Sequence, residues 1–272
     1  MNRLSSLASS DSSRRQGGAD ADTVDDGHGT VPDLLAQPDQ PKMNRPRTFF
    51  LPVRYESRYR YPLVVWLHSD GYNEHQIGHV LPHISTRNYV GVGVRGSKAL
   101  DAGGRRFAWS HTPAAIARCE DSIWQAVDEA CQRYSIHRDR IFLAGYGEGG
   151  TMARRVALQR SSQFAGCVSL GGRLPRGGAV LSNLAAAREL KNFWAVAMRS
   201  SGLTDDQFND DIRLAADARL RLDVRRYTTD DEMVTEVLSD VNAWIMRIVT
   251  GETDCEPASP DWSTTPVQFS SN

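Results

Sequence analysis

Short apolar runs alternate with longer stretches of helical period along the middle of this chain. RTFFLPVRYE opens the series, and PLVVWLH (62–68), YVGVGV (89–94), RIFLAG (140–145), FAGCVSL (164–170), FWAVAM (193–198) and LDVRRY (222–227) follow. Several are apolar at nearly every position, which predicts strands covered on both faces, as in a parallel sheet. Between them, Ile116, Cys119, Ile123, Val127, Ala130 and Tyr134 recur at three- and four-residue steps over 116–134. Val234, Val237, Leu238, Val241, Trp244, Ile245, Ile248 and Val249 form one apolar stripe over 234–249, and 206–218 carries a third, less apolar one. The alternation predicts an α/β fold: a mostly parallel, doubly wound sheet with helices on both faces, in a single domain. Such sheets bind ligands at the carboxyl ends of their strands, so the loops after residues 68, 94, 145, 198 and 227 are the candidates.

The 272 residues are 40% hydrophobic and 24% charged, enough for a packed core, and no run of about 18 apolar residues predicts a membrane span. The net charge of −1 is a sum of unlike parts. Residues 1–45 carry 5 basic and 7 acidic side chains, 252–272 carry 4 acidic and no basic ones, and 46–251 carry 27 basic against 22 acidic. A balance this mild, with no clustered basic stripe, argues against a nucleic-acid partner. Residues 1–45 are rich in Ser, Asp, Gly and Pro and the tail in Ser, Thr and Pro, so a disordered segment 1–45 and a disordered acidic tail 252–272 are expected around a domain at 46–251. The N-terminus lacks a secretory apolar stretch, and the expected location is the cytoplasm.

The four cysteines, 119, 131, 167 and 255, form no CxxC and read as buried thiols; Cys119 and Cys131 share one predicted helix and cannot bridge. His75, His79 and His83 stand four residues apart. Pro82 is expected to break a helix before His83, so these read as surface histidines; no metal or cofactor is expected. The glycine-rich GGRLPRGG (171–178) lacks a phosphate-loop spacing and reads as a plain loop, with Arg173 and Arg176 available to an anion.

The densest information lies in RIFLAGYGEGGTMARRVAL, where a strand ends at Gly145, a glycine-rich turn follows, and a helix starts near Glu148. This is the context of a nucleophile elbow, G-x-S-x-G. YSIHRDRIFLAGYGEGGTMA resembles the phospholipase/carboxylesterase family of α/β-hydrolases, which includes the acyl-protein thioesterases, whose elbow usually reads G-F-S-Q-G-G. PLVVWLHSDG is similar to that family's strand and oxyanion loop, P-L-x-V-x-L-H-G-x-G, and RFAWS (106–110) resembles its tryptophan-bearing loop. The resemblance covers about residues 46–250. It implies the α/β-hydrolase fold and hydrolysis of carboxylic esters or thioesters, in which an elbow serine attacks, a histidine takes its proton and an aspartate orients the histidine.

The departures from that pattern fall on the chemistry. The nucleophile position is Gly147, which has no side chain to attack with. The acid position falls on Asp205, with Asp206 as its neighbour, and the histidine position falls on Asp231. All seven histidines precede residue 138, so the last strand and helix contain none. The oxyanion loop reads His68-Ser69-Asp70-Gly71, which puts Ser69 and Glu148 at the oxyanion positions and His68, Asp70 and Trp109 in the pocket lining. If Asp70, Glu148, Asp205 and Asp231 all face the cleft, it is acidic. The expectation is a catalytically inactive hydrolase-like protein, a pseudoenzyme, that binds a small molecule or a protein partner in the former active-site cleft. The alternative is an active hydrolase using Glu148 or Asp231 on water instead of serine.

Overall fold

Strand β2 (Tyr61–Leu67) is buried at every position and divides the core in two. Tyr61, Leu63, Val65 and Leu67 pack into one helical layer, and Val64 and Trp66 into the other. That period of two is what a strand covered on both faces requires. The first layer is built from α2 (Pro113–Arg133) and α3 (Glu148–Gln159), the second from α1 (Ile77–Ile84) and α6 (Thr235–Thr250). The computed structural model describes residues 46–251 apart from 178–179, 181–183 and 200–201. The segments 1–45 and 252–272, expected to be disordered, lie outside the described residues, and Cys255 with them.

Six further strands complete the main sheet: β1 (Arg47–Phe50), β3 (Val90–Val94), β6 (Ile136–Tyr146), β7 (Gly166–Leu170), β8 (Asn192–Ala197) and β9 (Leu222–Tyr227). Their order is β1-β3-β2-β6-β7-β8-β9, with β1 antiparallel and every other neighbour parallel. A two-stranded ribbon, β4 (Lys98–Ala99) with β5 (Phe107–Ala108), sits between β3 and α2 in the chain. Helices α4 (Leu184–Glu189) and α5 (Asp205–Asp217) connect the later strands. Because β2, β3, β6, β7, β8 and β9 are parallel, their carboxyl ends and following loops gather at one edge.

Strand β3 reads VGVGV for a steric reason. Val90, Val92 and Val94 fill the α2/α3 layer. A Cβ at Gly91 would lie 2.4 Å from Leu81 Cδ2, and one at Gly93 would lie 2.0 Å from the Glu74 carbonyl oxygen. The glycines therefore let α1 and the turn before it press directly on the sheet. Helix α1 also runs through Pro82 to Ile84, correcting the expectation of a break before His83. Proline withholds one N–H from the ladder, and buried Ile77, Val80, Leu81 and Ile84 hold the turn in place. His75, His79 and His83 are exposed, and His75 Nδ1 lies 2.8 Å from Thr48 Oγ1. Among the described residues no group of three His, Cys, Asp or Glu side chains could hold a metal, and no helix is long and apolar enough to cross a membrane.

Strand β1 stops at Phe50, well short of the run that predicted it, because Pro52 follows and cannot donate to a ladder. Residues 171–177 after β7 form a loop, and its two arginines are committed to structure. Buried Asp211 on α5 accepts from Arg173 Nη2 (3.2 Å), Arg176 Nη2 (2.5 Å) and the Leu174 N–H (2.8 Å). Gly91→Ala should destabilise the protein by about 1–3 kcal/mol through overpacking against α1. Gly78→Ala, with nothing within 4 Å of its new Cβ, should leave stability unchanged or raise it. Urea unfolding of the two variants checks the contrast.

Candidate functional site

The turn between β6 and α3 keeps the elbow shape without a serine. Gly147 sits at φ +55°, ψ −125°, and α3 begins at Glu148. A Cβ at Gly145 would lie 2.5 Å from the Gly149 carbonyl oxygen, and one at Gly149 would lie 2.3 Å from the carbonyl oxygens of Leu67 and His68. These two glycines let the first turn of α3 dock onto the ends of β6 and β2. Gly147 differs from them: a Cβ there would meet only Ser69 Cβ, at 3.8 Å. Space for a side chain exists at Gly147, while the positive φ favours glycine.

The loop after β2 is fixed from both sides. The Ser69 N–H donates to Gln76 Oε1 (3.1 Å), and Gln76 Nε2 donates to Ser69 Oγ (3.1 Å). Trp66 Nε1 donates to the same Gln76 oxygen (2.9 Å). The Ser69 amide, expected to face an oxyanion, is thus spent on a buried glutamine. His68, expected to line the pocket, is fully buried. Its Nε2 accepts the Gly96 N–H (2.9 Å), so its Nδ1 carries the proton and donates to the Ser69 carbonyl (2.8 Å). Burial holds its proton affinity below that of ordinary imidazole, so the ring stays neutral. Trp109 packs on that ring with centroids 5.0 Å apart, and its Nε1 donates to the His68 carbonyl (2.6 Å). Asp70 stands at the surface beside them, where Oδ1 accepts the Trp109 N–H (3.2 Å). Desolvation, followed by the nearby Glu148 carboxylate, pushes the Asp70 carboxyl up.

The loops after β8 and β9 place the remaining expected residues unequally. Asp231 reaches the elbow: its Oδ1 accepts the hydroxyl of Tyr146, the residue before Gly147 (2.9 Å), and the Met233 N–H (2.7 Å). Asp205 is the first residue of α5, and its exposed carboxylate pairs with Arg226 Nη2 at 3.0 Å. Asp206 is exposed on the same first turn. The carboxylate buried between these loops is Glu232, whose Oε1 accepts the Ala197 N–H at the end of β8 (2.8 Å), and whose carboxyl burial pushes up. Nothing in the run DDE distinguished it, because burial of one acid among three is decided by how β9 meets β8.

The sequence reading also missed His111. It lies between β5 and Thr112, whose side chain caps α2, and its Nε2 is 2.9 Å from Glu148 Oε2. The hydrogen bond from His111 holds the Glu148 carboxyl below the usual range, and Arg173 and Arg155 add to the effect. An imidazole is therefore present at the elbow, delivered by the β5–α2 connection instead of the last loop. Only its position in the chain was visible in the sequence, and that position suggested nothing.

The sequence profile of the phospholipase/carboxylesterase family matches residues 93–193. That stretch contains His111 and the elbow and ends before Asp205 and Asp231. The carboxylesterase of Bacillus cereus has a similar structure at 17% identity, with 75% of this chain and 94% of that chain covered and a TM-score of 0.59. A carboxylesterase from Mesorhizobium loti matches at 14% identity over 71% of this chain and 90% of that one, with a TM-score of 0.56. The Staphylococcus aureus fluorophosphonate-binding serine hydrolase F matches at 14% identity over 75% and 92%, also with a TM-score of 0.56. No curated protein sequence matches this chain. The fold is the α/β-hydrolase fold.

Neutral His68 carries a pH signature. Its folded-state proton affinity is depressed, so the stability it contributes is present above the ordinary imidazole range of about 6.5 and is lost as pH falls below it. Urea unfolding at pH 7 and pH 5 should show lower stability at the acid end. His68→Gln, which cannot titrate, should show a shallower loss.

Proposed function

We propose that this α/β-hydrolase-fold chain is a hydrolase-like protein without serine-dependent acyl transfer, a pseudoenzyme in that sense, whose cleft above Gly147 binds a small molecule. The observation that carries the reading is Gly147 itself, at φ +55° with an open Cβ position. Acyl transfer by this fold needs an oxygen on that turn and an imidazole able to take its proton. Glycine supplies no atom to form an acyl intermediate. Asp231, in the histidine position of the family pattern, supplies a carboxylate that accepts from Tyr146 and Met233, and no imidazole.

A binding role is supported by what has been kept around the missing nucleophile. The glycines that seat α3 on the sheet are present, as are the Trp109–His68 lock and the loops that gather at the strand ends. With Ser69 Cβ as the sole neighbour within 4 Å of a Cβ at Gly147, the floor of the cleft is roomier than with a serine there. Asp70, Glu148 and Asp231 border it, which favours a neutral or cationic group over an anionic one.

A fluorophosphonate probe should leave the unaltered protein unlabelled. The double variant Gly147→Ser with Asp231→His should label measurably faster, on the order of 10-fold or more, because it returns a nucleophile and a base to the turn. It should also lose roughly 1–3 kcal/mol of stability, since serine is strained at this φ. Labelling of the unaltered protein would overturn the reading.

A further inference from the structure

The His111–Glu148 pair stands where the serine-dependent machinery is missing, and nothing in the reading above uses it. We propose that His111 and Glu148 form a general-base dyad that activates water beside Gly147 and hydrolyses an activated carboxylic ester held in the cleft. The inference rests on the reading of the cleft as a ligand site without a serine.

The geometry assigns the roles. Glu148 is held ionised by its contact with His111, so the 2.9 Å approach of His111 Nε2 to Glu148 Oε2 needs the proton on Nε2. The base form of the ring then carries its lone pair on Nδ1, which hydrogen-bonds to none of the described residues. A carboxylate that fixes one ring nitrogen as a donor leaves the other as a base. Both side chains are partly open to solvent, at 33% for His111 and 48% for Glu148, so water reaches them. Glu148 directly follows Gly147, where the Cβ position is open. Asp70 from the β2 loop, Arg155 from α3 and Arg173 from the loop after β7 are the other charged groups that act on the pair.

The step balances with water alone. His111 Nδ1 takes a proton from water as the water oxygen bonds to the ester carbonyl carbon. The tetrahedral adduct collapses, its bond to the leaving oxygen breaks, and that oxygen takes the proton back from Nδ1. The products are an acid and an alcohol or phenol. No acyl-enzyme forms, and Glu148 remains ionised throughout. His111 is the catalytic residue because it touches the reacting water; Glu148 is a positioning residue.

The test is hydrolysis of p-nitrophenyl acetate by the full chain. Turnover above the buffer rate, slowed in D2O, is expected. His111→Ala should lower kcat by about 100-fold or more, and added imidazole should restore part of it. Glu148→Gln should lower kcat with KM unchanged. His79→Ala, on the exposed side of α1, should behave as the unaltered protein. Turnover equal to buffer, or unaffected by His111→Ala, overturns the dyad. Calorimetric binding of 4-nitrophenylacetone, the ketone isostere of the ester, separates the two readings. Binding without His111-dependent turnover removes the dyad and leaves the cleft reading standing. Fluorophosphonate labelling of the unaltered protein removes the cleft reading itself.

Discussion

The close docking of α3 on the carboxyl ends of β2 and β6 is the contact on which the rest of this site depends. Backbone meets backbone there: Gly149 lies against the carbonyls of Leu67 and His68, and Gly145 lies against the Gly149 carbonyl. A single methyl group at either position would collide with main chain, which cannot swing aside as a side chain can. The glycines therefore belong to the packing of a helix on a sheet, separately from any reaction at the turn. This explains how the elbow persists in shape around a residue that cannot attack a carbonyl. The strained turn of a serine elbow is simply a relaxed one when glycine occupies it.

Around that contact the polar groups are arranged to hold loops. His68 sits neutral with both ring nitrogens occupied and carries Trp109 against its face. Gln76 fills the space beneath Ser69 and ties it to Trp66. Asp211 gathers Arg173, Arg176 and the Leu174 amide, anchoring the loop after β7 to α5. Each anchor buries a polar group fully partnered, which keeps its desolvation cost low and its geometry single. Against that fixed frame, the groups left with unspent lone pairs near the elbow are His111 and the carboxylates of Asp70, Glu148 and Asp231.

Much of the fold was legible because it rests on periodicity. Strand β9 occupies 222–227 as its sequence run indicated, and α2, α5 and α6 begin and end within a few residues of their apolar stripes. Boundaries slipped where a local rule met a tertiary one. Helix α1 carries Pro82 because four buried apolar side chains outweigh one lost N–H. The site was legible in its motif and not in its membership. Chain order singles out the turn after β9 as the place for an imidazole, and Asp231 does reach Tyr146 there.

The sequence by itself determined the α/β alternation, the glycine-rich turn after β6 and the lack of a side chain at Gly147, because each follows from residue type and local spacing. Only the tertiary structure decided that His111 meets Glu148, that Glu232 is the buried acid and that the Ser69 amide faces Gln76. The first joins residues 37 apart in the chain, the second separates near-identical neighbours, and the third follows from the way the loop after β2 turns back onto Gln76. Which side chains meet is fixed by how parallel strands bring their loops to one edge, and that registry leaves no mark in the spacing of the sequence.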